Sequence, residues 1–336
     1  MELGLSMIGR GLGPDDLRQL GTRAEAAGYS SLWTAEAWGA DAFTPLAFLA
    51  ATTSTIKLGT AIAQIWARTP GATAMTALTL QQLSGGRLQL GLGVSGPQVV
   101  EGWHGVAFQR PLAATRDYIA ILRSALAADA KVIHEGEVYS VPYAGPGASG
   151  LGRPLRSTQP GAPDTPILVA AMGPRNTALA VEIADGMLPY LWSPVHWREA
   201  WGDTLAQAPD GFQVSPTVVA ALGDDLAACR NQVRPRIAMH VGGMGSRDQN
   251  FYKALVERYG YEEEAAIIQD LFLSGDRGGA VAAVSDQLVD ELALVGPAAH
   301  VADQLAAWRE GPLATLIVEP TTGGAIEQIA EIWSTL

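Results

Sequence analysis

The feature that most constrains this chain is a repeated alternation of short apolar runs with helix-patterned segments. Leu3-Gly4-Leu5-Ser6-Met7-Ile8 has strand length and ends in a glycine-rich stretch, Gly9 to Gly13. Pro14, Asp15 and Asp16 then suit a helix first turn. Proline lacks a donor the helix does not need there, and carboxylates favour the positive end of the helix dipole. Leu17, Leu20, Ala24 and Ala27 follow at helical spacing, and Gly28 is a natural stop. The unit then recurs, giving eight candidate strands that begin near 3, 31, 56, 88, 167, 187, 213 and 313. Nearly all are followed by a helix. Strands alternating with helices at this pace imply parallel βαβ units, and eight parallel strands close a (β/α)8 TIM barrel.

Two stretches break the rhythm. Residues 132–166 hold a small hairpin signal at Glu135-Gly136-Glu137, then a run dense in Gly and Pro. A loop of that length inside a compact domain is usually functional or disordered. Residues 225–296 read as mostly helical, interrupted at Gly242-Gly243-Met244-Gly245 and around Gly275 to Gly279. Length alone suggests about two domains. No shift in composition marks a linker, so the expectation is one barrel domain over 1–336 with insertions near 132–166 and 225–296.

Composition narrows the partners. Hydrophobic residues make up 48% and charged residues 17%, which fits a large buried core and excludes disorder. Lys and Arg total 22 against 34 Asp and Glu, a formal charge of −12. An acidic chain argues against nucleic acid or an anionic membrane as the main partner, because both need clustered cations. No apolar stretch reaches the length of a membrane span, and the N-terminus lacks the pattern of a signal peptide. The single cysteine, Cys229, rules out an intrachain disulfide, fits a cytoplasmic protein, and reads as a buried small hydrophobe. Five histidines lie scattered without metal-ligand spacing, so no metal is expected.

Gly91-Leu92-Gly93-Val94-Ser95-Gly96 matches the dinucleotide-binding pattern G-x-G-x-x-G literally. That pattern carries weight only after a first strand, at the start of a long helix, with an acid ending the next strand. Here it follows the fourth strand, the next segment is short and broken by glycine, and Asp117 falls mid-helix. A barrel strand whose end needs close backbone approach explains it better.

In a barrel, ligand-binding residues gather at the C-terminal strand ends. The sequence places Glu36 and Trp38 after strand two, and Ala61, Ile62 and Gln64 toward the end of strand three. Ser95 and Gly96 follow strand four; Gly173, Arg175 and Asn176 follow strand five. Tyr190 and Trp192 lie on strand six, and Glu319 ends strand eight. The turn Gly173-Pro174-Arg175-Asn176 opens a helix, where free N–H groups, the dipole and Arg175 together suit an anion. His104 lies close behind the Ser95-Gly96 loop. Trp38, Trp66, Trp103, Tyr190 and Trp192 sit near strand ends and could wall a planar ring.

Several of these stretches resemble the luciferase-like monooxygenase superfamily. They are Arg23-Ala24-Glu25-Ala26-Ala27-Gly28-Tyr29 with the following Ser31 to Ala37, and Ile56-Lys57-Leu58-Gly59-Thr60-Ala61-Ile62. Leu83-Ser84-Gly85-Gly86-Arg87, the run from Gly91 to Gly105, and Ala170 to Asn176 resemble the branch that uses the deazaflavin F420. The resemblance is strong over roughly 1–200 and fades beyond. It implies a barrel with a deazaflavin or flavin at the C-terminal mouth, often a dimer. It also implies a non-prolyl cis peptide on strand three, which by position is Ala61-Ile62, and loops at Ser95-Gly96 and Met172-Gly173-Pro174 that hold the cofactor's phosphate and side chain. Sugar-phosphate dehydrogenases of the superfamily have an acid after strand one and an Asp-His pair after strand two. This chain has Gly9-Arg10-Gly11 and Glu36-Ala37 there, which argues against a sugar phosphate and against His-driven alcohol oxidation.

The leading expectation is an F420-dependent oxidoreductase that moves a hydride between the deazaflavin and a small alkene, imine or carbonyl compound, under the 132–166 insertion. Glu36, His104 and Tyr190 are the candidates for the companion proton. The expected cofactor shell is Ala61, Ile62, Gln64, Val94, Ser95, Gly96, Ala171, Met172, Gly173, Pro174, Arg175 and Asn176. Trp38, Trp66 and Trp192 are the expected walls of the substrate pocket. The alternatives are an FMN-dependent monooxygenase of the same fold and a barrel that binds F420 without catalysis.

Overall fold

The computed structural model of the chain describes residues 1–7 and 13–336. Most of the glycine-rich stretch after the first strand, residues 9–12, therefore lies outside the described residues. The barrel strands are β1 (Glu2–Ser6), β2 (Ser31–Thr34), β3 (Lys57–Thr60), β4 (Leu88–Gly93), β5 (Ile167–Val169), β6 (Gly186–Met187), β7 (Thr217–Leu222) and β8 (Thr315–Pro320). β1 to β6 pair in chain order, all in parallel, and β1 pairs on its other side with β8, which pairs with β7. The ring closes through the segment before β7. Gln213–Val214 pairs with β6. The Ser215 N–H then donates to the Met187 carbonyl at 3.0 Å and the Ile317 N–H to the Pro216 carbonyl at 2.9 Å. Pro216 has no donor of its own, so the expected single strand over 213–221 is interrupted there.

The helices between strands start as the sequence dictates. Pro14, Pro70, Pro97, Pro111 and Pro174 each open one, where their fixed φ and missing donor do no harm. Thr69 Oγ1 accepts from the Ala72 N–H to cap Pro70–Ser84, and Gly85 ends that helix at φ 67°. Among the described residues no helix is long and apolar enough to cross a membrane.

Two expectations needed correction. Among the described residues the sheet carries three short strands besides the eight of the barrel. Ala293–Gly296, inside the segment read as helical, lies parallel to Val219–Leu222. β7 rises beyond the end of β6, and this fully buried apolar run covers the edge so exposed. The strand expected over 56–65 is also split. It stops at Thr60, turns through Ala61-Ile62 and resumes as Ala63–Gln64, which pairs with Leu92–Gly93.

Inside the barrel, Trp33, Leu168, Leu188 and Ile317 form a closed apolar layer with Ile62 packed against it. The Trp33 indole occupies the space a β-carbon on Gly59 would need, coming within 2.3 Å of that position, and its Nε1 donates to Ser31 Oγ at 2.8 Å. The layer fills the barrel and leaves the C-terminal mouth above it as the place for a ligand. Cys229 is buried, as expected of a small hydrophobe.

Candidate active site

β3 and β4 build the first wall of the mouth. The Ala61-Ile62 peptide is cis without proline. Thr60 Oγ1 donates to the Gly91 carbonyl at 2.7 Å and accepts from the Gly91 N–H at 2.9 Å. A β-carbon on Gly91 would lie 1.8 Å from the Thr60 carbonyl oxygen, and one on Gly93 would lie 3.0 Å from Ile62 Cδ1. The glycines of the G-x-G pattern thus serve the neighbouring strand, not a pyrophosphate. Ser95 follows at φ 56°, and Gly96 precedes the short helix Pro97–Gly102. Val94 is half-buried against the core.

Glu36 stands at the end of β2 with its carboxylate occupied on every side. Its oxygens accept from the Gln64 N–H at 2.8 Å, the Ala42 N–H at 3.1 Å and Arg68 at 2.6 and 2.8 Å. The side chain is 7% exposed. This is a clamp between the loops after β2 and β3, so the geometry gives Glu36 a positioning part instead of the expected proton transfer. Arg68, which completes the clamp, had no sequence signal.

Gln64 is fully buried and its Nε2 donates to the Glu36 and Ala37 carbonyls at 3.1 and 2.9 Å. Those two acceptors fix which amide atom is which, and Oε1 is left buried without a donor. Leaving a buried acceptor unpaired costs about 1–3 kcal/mol, so such an atom marks a place where a ligand can supply an N–H or O–H. Trp66 Nε1 and His104 Nε2 are likewise buried and unpartnered.

The turn after β5 forms the next wall. Gly173 precedes the helix Pro174–Ile183 with no side-chain cap, and Arg175 is exposed and free of any ion pair. Asn176 spends its amide on the Ala170 carbonyl at 2.8 Å, which holds the strand end and not an anion. Ala171 is buried. From behind, the Met172 carbonyl accepts from Arg258 at 2.6 Å and Trp201 at 3.2 Å.

The expected aromatic walls divide. Trp38 is 58% exposed on the rim. Trp66 is buried, with Phe108 at 6.2 Å and Tyr139 of the insertion hairpin at 6.1 Å. Trp192 is buried between Trp201, stacked at 4.6 Å, and Trp197 at 5.9 Å. The ring is 1% exposed and stacked on its neighbours, so it belongs to packing and not to an open pocket.

The insertion hairpin, His134–Glu135 with Ser140–Val141, is fixed by one carboxylate. Asp117 accepts from the Val138 N–H at 2.7 Å and the Tyr139 N–H at 3.1 Å, and lies 3.1 Å from His134 Nε2.

The far side of the mouth is polar. Tyr190 on the extension of β6 and Glu319 on β8 sit two residues beyond Leu188 and Ile317, so they share the inward face of their strands. Arg236, on the helix Leu226–Gly243, pairs with both Glu319 oxygens. One turn on, His240 Nδ1 lies 2.7 Å from the Arg236 carbonyl, which fixes the proton on Nδ1, and burial drives its pKa down to about 4. The His240 ring packs 4.7 Å from Tyr190 and 4.8 Å from Tyr252. Asn250 ties the two helices together, donating to the His240 and Val241 carbonyls while accepting from the Tyr252 and Lys253 N–H groups. The sequence reading singled out Tyr190 and Glu319 but missed Arg236, His240 and Tyr252. Arg236 and His240, four apart on one helix face, were the available signal.

A parallel (β/α)8 barrel with buried, unpartnered polar atoms such as Gln64 Oε1 and the Tyr190 hydroxyl at its C-terminal strand ends has the anatomy of a barrel enzyme. The chain belongs to the luciferase-like monooxygenase family, whose sequence model matches residues 3–315. A Mycobacterium tuberculosis protein with the provisional name coenzyme F420-dependent oxidoreductase is 41% identical over 342 residues, covering 99% of this chain and 98% of that protein. Among solved structures, the coenzyme F420-dependent tetrahydromethanopterin reductase from Methanopyrus kandleri superposes with a TM-score of 0.79 at 22% identity, covering 98% of this chain and 97% of the other. An F420-dependent secondary alcohol dehydrogenase holding an F420-acetone adduct gives 0.76 at 16% identity over the same shares. At these identities the two structures speak for the fold.

Proposed function

We propose that the chain is an F420-dependent oxidoreductase of the luciferase-like family, with the deazaflavin over the β3–β5 side of the mouth and a small organic substrate over the β6–β8 side. One observation carries the reading: the mouth has two unlike halves. Ile62, Gly93 and Ala170 make one half low and apolar, because a β-carbon on Gly93 would meet both neighbours at 3.0 and 3.1 Å. That half suits a flat ring, and the unpaired Gln64 Oε1 suits a ring N–H or hydroxyl at its edge. The turn at Gly173 and the free Arg175 beside it offer a local anion site in a chain of net charge −12. The name of the 41% identical relative supports the same cofactor.

When bound, F420 supplies or accepts a hydride. The chain's part is to hold the ring, keep water out and provide the proton. The Trp33 layer seals the barrel below. Glu36, Arg68 and Gln64 hold the loops that carry the cis peptide. Tyr190 is the proton donor best placed for the task. Its buried hydroxyl has no acceptor for its proton, and burial keeps its pKa well above the usual phenol value, so it stays protonated.

Titration of the purified protein with F420, and separately with FMN, tests the cofactor assignment. F420 binding with weak or no FMN binding is expected. Tight binding of FMN alone would overturn it in favour of a monooxygenase. Anaerobic mixing with reduced F420 and a panel of alkenes, imines and ketones then separates an oxidoreductase from a barrel that only binds the cofactor.

A further inference from the structure

The polar half of the mouth presents the donors of Tyr190 and Arg236, with His240 Nε2 as the acceptor among them. The Tyr190 hydroxyl is buried beside the Arg236 guanidinium, which can only donate to its oxygen, so the Tyr190 proton itself has no acceptor. Glu319 is 6% exposed, and both of its oxygens are engaged by Arg236, so the pair is neutral and the carboxylate is spent. The His240 Nδ1–H is committed to the Arg236 carbonyl. Among the described residues here, what remains to offer a ligand oxygen is the Tyr190 O–H and the N–H edge of Arg236 that Glu319 does not take; His240 Nε2 can only accept.

We infer that this half of the mouth is a carbonyl-oxygen subsite, with Tyr190 and Arg236 as donors, so that the substrate is a ketone or an alkene conjugated to one and not an iminium. The inference rests on the hydride-transfer reading above and narrows it. Hydride addition to a carbonyl carbon, or to the carbon β to it, leaves the displaced π pair on oxygen. That oxygen takes the Tyr190 proton, and water returns a proton to the phenolate. One hydride, from the reduced deazaflavin, and one proton are thereby added: across the C=O of a ketone to give the alcohol, or across the conjugated system of an enone to give the enol, which tautomerises in water to the saturated ketone. Donors fixed in advance where negative charge develops stabilise it strongly in a water-poor site. A fully substituted iminium nitrogen has no lone pair, so it can accept neither a hydrogen bond from these donors nor the Tyr190 proton.

The test reads binding, not turnover. 2-Cyclohexen-1-one labelled with 13C at the carbonyl is added to protein loaded with oxidised F420, which cannot reduce it, and the C=O stretch is followed by difference infrared spectroscopy. In the wild type the stretch should shift to lower frequency, as it does when an oxygen accepts strong hydrogen bonds. Tyr190→Phe should reduce the shift and weaken binding about tenfold. Arg236→Met alone would leave Glu319 buried without its partner, so it is made together with Glu319→Gln, and that double variant should also reduce the shift. A cyclic N-methyl iminium of the same ring size should bind more weakly than the enone. An unshifted stretch in the wild type, variants indistinguishable from it, or tighter binding of the iminium would each overturn the subsite. Binding of F420 itself is measured separately by its fluorescence. If F420 fails to bind, the cofactor reading falls, and the infrared titration on cofactor-free protein still decides the carbonyl subsite.

Discussion

Ile62 occupies the space that a side chain on Gly93 would take: a β-carbon there would lie 3.0 Å from both Cγ1 and Cδ1 of Ile62. The register partner of Gly93 is Gln64, so Ile62 reaches it diagonally, just after the cis Ala61-Ile62 peptide. Gly93→Ala should therefore push Ile62 out of the floor of the mouth. Over-packing of this kind costs about 1–3 kcal/mol. Urea unfolding should register that loss, and F420 titration should show weaker binding. Gly91→Ala should be worse, because its β-carbon meets the Thr60 backbone carbonyl at 1.8 Å, and backbone gives way less easily than a side chain. Equal stability of the two variants would contradict the packing described for this wall.

Removing the Glu36 carboxylate should loosen the same wall from the other side. Glu36→Ala leaves Arg68, 23% exposed, without its closest partner and frees the Gln64 N–H. Breaking a buried ion pair at one partner costs about 3–5 kcal/mol. A fall in melting temperature is expected together with weaker cofactor binding. If Glu36 were instead the proton carrier, Glu36→Gln would abolish turnover while F420 affinity and stability held, and stopped-flow kinetics alongside calorimetry would reveal that pattern.

The insertion hairpin depends on Asp117. Three groups from 134–139 converge on its carboxylate, and the close approach at Gly136 leaves no space for a β-carbon there, which would lie 2.3 Å from Asp117 Cγ. Asp117→Ala should release the hairpin and Tyr139 from Trp66 without unfolding the barrel. Hydrogen exchange should then rise over 132–145 and stay unchanged in β1 to β4. Exchange that rises uniformly would show that Asp117 holds the whole domain.

Acid stability has a named contributor. Desolvation raises the Glu25 pKa, but hydrogen bonds from the Thr55, Ile56 and Ser54 N–H groups and the Thr55 hydroxyl outweigh it and bring the value down from 4.5 to about 2. A carboxyl with a depressed folded pKa stabilises the fold above its unfolded value, and that stabilisation is lost as pH falls toward the folded one. Between about pH 4.5 and 2 the wild type should lose stability more steeply than Glu25→Gln. Parallel stability curves across that window would exclude this role.

The sequence by itself determined the architecture. Apolar runs of strand length separated by proline-opened helices specify parallel βαβ units, because each strand end and helix start is written in local residues. The chain-local part of the mouth was legible for the same reason: the Gly173 helix start and the Asp117 helix lie where local pattern put them, whereas the turn at Ala61-Ile62 breaks the single strand that pattern put over 56–65.

Tertiary structure decided what the side chains at the mouth do. Glu36 reads as a free acid at a strand end, and only the approach of Arg68, 32 residues away, makes it a clamp. Trp192 reads as a wall until Trp201 and Trp197 stack on it and bury it. Arg236 and His240 belong to an insertion with no strand pattern, yet they meet Tyr190 and Glu319 because the helix Leu226–Gly243 returns to the mouth. The strand Ala293–Gly296 exists only because β7 outreaches β6 and leaves an edge to cover. Local patterning fixes backbone direction and period, whereas the partner of a charge or a ring is set by contacts between segments far apart in the chain.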